Sequence, residues 1–137
     1  MPYWRLFYHI VWATKDRRPL IQDAFAASLY ERMTQKATQV GAIVHAVNGV
    51  EDHVHLAVSV PPAIALAEFV RQVKGSSSHF MSRELDAPVD FGWQPDYGVM
   101  SLDSKQMDRV AHYVKAQRQH HAQRTTIPAL ERLSQDK

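Results

Sequence analysis

"EDHVHLAVSV" (Glu51–Val60) is the stretch that decides how this chain folds. Val54, Leu56, Val58 and Val60 are bulky and apolar, whereas His53, His55, Ala57 and Ser59 between them are polar or small. Alternation with period two is the pattern of a strand with one face in the core and one face open. Successive side chains point to opposite faces, so His53 and His55 are expected side by side on the open face. Two imidazoles so placed can converge on one cation, since neutral imidazole is the commonest protein metal ligand. They also fit a plain pair of surface histidines. A metal site needs a third ligand, and only Glu51 or Asp52 is close in sequence.

Working outward from that strand, "AIVHAVNGV" (Ala42–Val50) reads as a preceding strand joined to it by the turn "GVED", an adjacent antiparallel pair. "YWRLFYHIVWAT" (Tyr3–Thr14) is rich in aromatic and β-branched residues and reads as the first strand, followed by the basic loop "KDRRP". Between them Phe25, Leu29, Met33, Ala37 and Val40 recur at helical spacing, and Gly41 supplies the stop. Pro61 and Pro62 end the histidine strand. Leu66, Phe69, Val70 and Val73 then mark a second helix that runs on through "KGSSSHFMSREL". "DAPVD" is a loop, and "WQPDYGVMSL" (Trp93–Leu102) reads as a fourth strand broken by Pro95. A last helix starts near Ser104, with Met107, Val110, Ala111 and Val114 as its buried stripe and a polar tail beyond His121. This order predicts an α+β, ferredoxin-like split βαβ sandwich. Its four-stranded antiparallel sheet carries helices on one face, with a further C-terminal helix, and the histidine strand lies inside the sheet.

The 137 residues suit one domain over 1–137, with a flexible or helical polar tail at 122–137. Apolar residues make up 45% and charged residues 22%, as in ordinary globular proteins. There is no cysteine, which excludes disulfides, thiolate metal sites and thiol nucleophiles. The N-terminus lacks the pattern of a secretory signal, and no apolar run approaches the roughly 20 residues of a membrane span. A cytoplasmic protein without a membrane partner is expected. The formal charge of +2 is too small to identify a polyanionic partner by itself.

In "HYVKAQRQHH", Tyr113 and Gln117 are four residues apart and share a helix face. A phenolate can attack phosphorus to form a phosphotyrosine, and an amide oxygen can bind a metal. On spacing alone, a half-buried helix tyrosine beside the Val110–Val114 stripe outweighs a nucleophile.

Taken together, "DHVHLAVSVPP", "WATKDRRP", "KGSSSHF", "WQPDYGVMS" and "HYVKAQRQHH" occur in the order seen in single-tyrosine transposases of the HUH type. The chain resembles that family from about Tyr3 to His121, and its last two motifs look closer to the REP-associated tyrosine transposases than to the insertion-sequence branch. The resemblance implies that His53, His55 and Gln117 bind a divalent metal, Mg2+ or Mn2+, and that Tyr113 is the catalytic nucleophile. It implies cleavage and rejoining of single-stranded DNA, with hairpin-bearing or palindromic ends, through a covalent 5′-phosphotyrosine. It also implies a homodimer, because one tyrosine holds only one cut end. Lys15, Arg17, Arg18, Arg71, Lys74 and Arg83 are candidate phosphate contacts, although isolated surface cations are more often merely solvated. Trp12 and Trp93 could stack on bases, but a core role has the stronger claim for both. Two other readings stand beside this one: a domesticated or catalytically inactive ferredoxin-like nucleic-acid binding module, and a small two-histidine metallohydrolase in which Tyr113 is structural.

Overall fold

A computed structural model of the chain describes residues 2–85 and 90–133. Most of the expected loop at 86–90 and the last four residues of the polar tail lie outside the described residues. The elements are β1 (Phe7–Ala13), α1 (Asp23–Gln39), β2 (Ile43–Val50), β3 (His53–Ser59), α2 (Leu66–His79), β4 (Gly98–Leu102), α3 (Ser104–Lys115), α4 (Gln117–Gln123) and α5 (Pro128–Glu131). The strands form one antiparallel sheet in the order β2-β3-β1-β4, which is the split βαβ arrangement. β3 lies inside it, with His55 opposite Val11 on β1 and Asn48 on β2.

The sheet separates two apolar layers. Ile10, Trp12, Val54, Leu56 and Val58 pack on one face against Leu29 and Met33 of α1 and Phe69 and Val73 of α2. On the opposite face Ala46 and Ala57 meet Met107, Val110 and Val114 of α3. Alanines at these two sheet positions let α3 approach closely.

This second layer corrects the expectation of an open histidine face. His53 is 3% and His55 0% exposed, and every residue of β3 is buried. A half-polar pattern that would face solvent in an isolated hairpin is here roofed by the C-terminal helices.

Several element boundaries also shift for physical reasons. β1 begins at Phe7 rather than Tyr3 because its partner β3 ends before Pro61, and the last bond between them is Val60 N–H to Leu6 O. The expected strand at Trp93 shrinks to a single bridge with Thr14, and β4 proper starts at Gly98. Pro95 cannot donate to the ladder. The carbonyls of Gln94, Pro95 and Asp96 instead accept hydrogen bonds from the Lys74 ammonium at 2.6, 3.2 and 3.0 Å. The last helix starts at Ser104 as expected but breaks at Ala116, which separates α3 from α4. Trp12 is wholly buried, and Trp93 packs edge-on against it, so both belong to the core.

Candidate active site

The histidine pair, the tyrosine helix and the short C-terminal helix meet around one carboxylate. β3 aims His53 and His55 at α3–α5, and their Nε2 atoms lie 3.0 and 3.1 Å from Glu131 Oε1. Tyr113, in the last turn of α3, donates its phenolic proton to Glu131 Oε2, and its oxygen accepts the Ile127 backbone N–H at 3.0 Å. Gln117 opens α4 and donates from Nε2 to the same Oε2 at 3.1 Å. His121, one turn further on, stands with Nε2 3.3 Å from Oε1. The Tyr113 ring lies 6.0 Å from that of His55 and stacks on His120 at 4.4 Å. All these groups belong to one chain.

The proton inventory follows from what each atom can do. A carboxylate only accepts, so both nitrogens of His53 act as donors, Nε2 to Glu131 and Nδ1 to Asp52 Oδ1 at 2.7 Å. Burial opposes the resulting positive charge, but its hydrogen bonds to Glu131 and Asp52 outweigh that penalty and raise the His53 pKa above its usual 6.5. His55 moves the other way. Its deeper burial exceeds the help from Glu131, so it stays neutral. Glu131 is half-buried, which favours its neutral form, yet the donors from His53 and His55 hold it ionised well below the usual carboxylate range. Burial and then the hydrogen bond to Glu131 push the Tyr113 phenol above its ordinary value, so the proton rests on tyrosine in this state.

The donor set fits a divalent cation. Among the described residues, His53, His55, His121 and Glu131 place one ligand atom each within 4.8 Å of one another. Gln117 is fully buried, and its Oε1 has no hydrogen-bond partner among the described residues. A buried amide oxygen left without a donor is an unsatisfied acceptor, and a cation would satisfy it. The residues present therefore could hold a metal through two to three imidazoles, one carboxylate and one amide oxygen. Such a mixed set suits Mn2+ better than Mg2+, which prefers oxygen octahedra.

The basic candidates divide. Lys15, Arg17 and Arg18 are exposed on the turn after β1, and Arg17 reaches Asp52 at 3.5 Å, on the edge of the cluster. Asp16 and Arg17 hold left-handed backbone angles (φ 56° and 52°), which non-glycine residues adopt only when their surroundings impose them. Gln94 Oε1 supplies part of that restraint by accepting the Asp16 N–H at 2.8 Å. Arg71, Lys74 and Arg83 belong to α2 and the turn after it, on the other side of the sheet from the histidines. Arg71 pairs with Glu68, and the Lys74 ammonium is given over to three carbonyls.

With this geometry in place, comparison with known proteins becomes decisive. The profile of the family described as "Transposase IS200 like" matches residues 2–117. The chain belongs to the IS200-like transposase family. It is similar to the ISDra2 transposase TnpA of Deinococcus radiodurans, with 28% identity over 119 residues that cover 83% of this chain and 85% of that protein. A solved transposase structure from Deinococcus radiodurans R1 matches with a TM-score of 0.65 at 28% identity, covering 85% of this chain and 95% of that one. A REP-associated tyrosine transposase bound to a REP hairpin shares the fold, with a TM-score of 0.65 at 14% identity and coverage of 88% and 74%. Among the described residues of this transposase, no helix is long and apolar enough to cross a membrane.

Sequence reasoning placed Tyr113, Gln117, His53 and His55 in one site, and the structure brings these four together. It missed Glu131 and did not place His121 in the site. Glu131 lies 78 positions from His53, beyond the reach of any local pattern. The signal available for His121 was its place one turn after Gln117, on the same helix face.

Proposed function

We propose that this transposase is a metal-dependent enzyme that nicks and rejoins single-stranded DNA through Tyr113. The carrying observation is convergence: the Tyr113 hydroxyl, the Nε2 atoms of His53 and His55 and the buried Gln117 amide all meet at the Glu131 carboxylate. A cation held by His53, His55 and Gln117, joined by Glu131, would polarise the scissile phosphate and stabilise its developing charge. The Tyr113 oxygen attacks phosphorus, the bond from phosphorus to the 3′ oxygen breaks and that oxygen takes a proton from water, leaving a 5′-phosphotyrosine and a free 3′-hydroxyl. Glu131 Oε2 is hydrogen-bonded to the phenol and is the group placed to accept its proton. Rejoining reverses these steps and needs no nucleotide cofactor, because the ester conserves the bond.

The exposed turn bearing Lys15, Arg17 and Arg18 borders the cluster and is the favoured phosphate track, which would make binding fall steeply with salt. Hairpin-bearing or palindromic single-stranded ends are the proposed substrate. The fold shared with a hairpin-bound transposase supports that choice. Each chain carries one such tyrosine, so exchange between two ends calls for two chains, and a homodimer is the proposed working form.

The test uses Tyr113→Phe. Wild type with Mn2+ should yield a denaturant-stable adduct on a hairpin-bearing oligonucleotide. The variant should yield none while binding that oligonucleotide with affinity close to wild type. An adduct formed by the variant would exclude Tyr113 as the nucleophile.

A further inference from the structure

The two site histidines are held from behind by different kinds of group. His53 Nδ1 faces the Asp52 carboxylate at 2.7 Å, whereas His55 Nδ1 faces Nε2 of a third histidine, His9, at 2.8 Å. His9 comes from β1, is 0% exposed and meets His55 edge to edge, with ring centroids 5.0 Å apart and planes only 13° apart. Its own Nδ1 has no hydrogen-bond partner among the described residues. An apolar side chain of similar size would fill the position without burying that unsatisfied nitrogen, so packing does not account for an imidazole here.

The two arrangements differ in what they permit. Asp52 can only accept, so it keeps a proton on His53 Nδ1 and directs the other nitrogen, Nε2, towards the site as the ligand. His9 can either donate or accept, according to its tautomer. In this structure His55 Nε2 donates to Glu131 Oε1 at 3.1 Å, so its Nδ1 is bare and accepts from His9 Nε2–H. A cation on His55 Nε2 demands the opposite tautomer. His55 must then carry its proton on Nδ1 and donate it to His9 Nε2, and His9 must carry its own proton on Nδ1. The pair holds two protons in both states: one leaves His55 Nε2, one crosses the His9–His55 bond, and one arrives at His9 Nδ1.

We propose that His9 is a positioning residue that sets the tautomer and ring orientation of His55 and so tunes the affinity of the site for a divalent cation. The inference rests on reading His53 and His55 as metal ligands. Full-length wild type, His9→Phe and His9→Gln would be titrated with Mn2+, with free ion read by electron paramagnetic resonance. His9→Phe keeps the ring but cannot hydrogen-bond and should bind Mn2+ about 10- to 100-fold more weakly. His9→Gln, whose amide oxygen can accept from His55 Nδ1–H, should recover part of that loss. A purely packing role would not produce this recovery. In ¹⁵N imidazole spectra, Mg2+ should move His55 to its Nδ1–H tautomer in wild type and in His9→Gln but not in His9→Phe. Should His9→Phe fail to fold, His9→Leu, which likewise cannot hydrogen-bond, takes its place in both measurements. Mn2+ affinity in folded His9→Phe within about twofold of wild type overturns the inference, as does an Mg2+-induced tautomer change that is the same in all three proteins. Failure of wild type to bind Mn2+ at all overturns the metal reading, and this inference with it.

Discussion

At the scale of single residues, Glu131 organises the site. Its two oxygens face His53, His55, Tyr113 and Gln117, so replacing it alters each neighbour in a predictable direction. Glu131→Gln keeps the volume but removes the charge that burial and hydrogen bonding set against ionisation of Tyr113. The phenol should then titrate at lower pH than in wild type, an effect visible in absorbance near 295 nm as a tyrosinate step that Tyr113→Phe abolishes. The buried histidines make a second prediction. Burial, aided by neighbouring His55, lowers the His9 pKa to about 3, and burial also lowers His55. The unfolded chain therefore takes up protons on falling pH that the folded chain refuses. For His9 this stabilisation is full above a pH of about 6.5 and is lost as the pH falls towards about 3, at up to about 1.4 kcal/mol per pH unit, and His55 contributes with the same sign. His53 has the opposite sign, because its raised pKa gives stability that is full below the unfolded value and fades as pH rises through the folded one. Urea midpoints of the metal-free chain should fall steadily on acidification, and His9→Phe should flatten that limb.

The elements show which local signals survive in the folded chain. α3 begins with a capping box: Asp103 accepts the Gln106 N–H at 2.7 Å, and the Gln106 side chain accepts the Asp103 N–H at 2.9 Å. Asp103→Ala should cost about 1 kcal/mol of stability in urea denaturation, while Met107, Val110 and Val114 keep α3 seated and Tyr113 in place. That start was legible because the apolar stripe from Met107 to Val114 is a local pattern. The break at Ala116 was not. No glycine or proline marks it, and one cause is tertiary: Asn48 on β2 donates to the free Lys115 carbonyl at 3.0 Å, giving the end of α3 a partner that helix continuation would otherwise supply. The break leaves Gln117 buried and its amide beside Tyr113 at the carboxylate. The i, i+4 spacing thus gave the right neighbours through a different backbone.

Across the whole molecule, the fold was legible because periodicity and turn residues are local and one sheet topology accommodates their order. The histidine strand's alternation also gave the correct face. It could not show that this face would be covered, since the cover comes from helices more than 40 residues downstream. The same distance hid Glu131. His9 escaped notice for another reason: in "FYHIVWA" a histidine among aromatic and β-branched residues reads as an ordinary strand position, and only the β1–β3 pairing brings it against His55.

Burial of the histidine face bears on how such an enzyme can lose its activity. His55 is both a proposed metal ligand and part of the packed interior, so truncating it opens a cavity as well as removing that donor. His55→Ala should destabilise the chain by about 2–5 kcal/mol, a large share of the roughly 5–15 kcal/mol that holds a domain folded. His55→Asn, which refills some of that space with a polar group able to meet His9, should lose metal binding with a smaller drop in the urea midpoint. Random inactivation at this position therefore tends to remove the protein from the cell rather than leave an inert copy. A lineage that kept the scaffold for binding alone would have to exchange the imidazole for another side chain of matching bulk, and that replacement would be a recognisable scar.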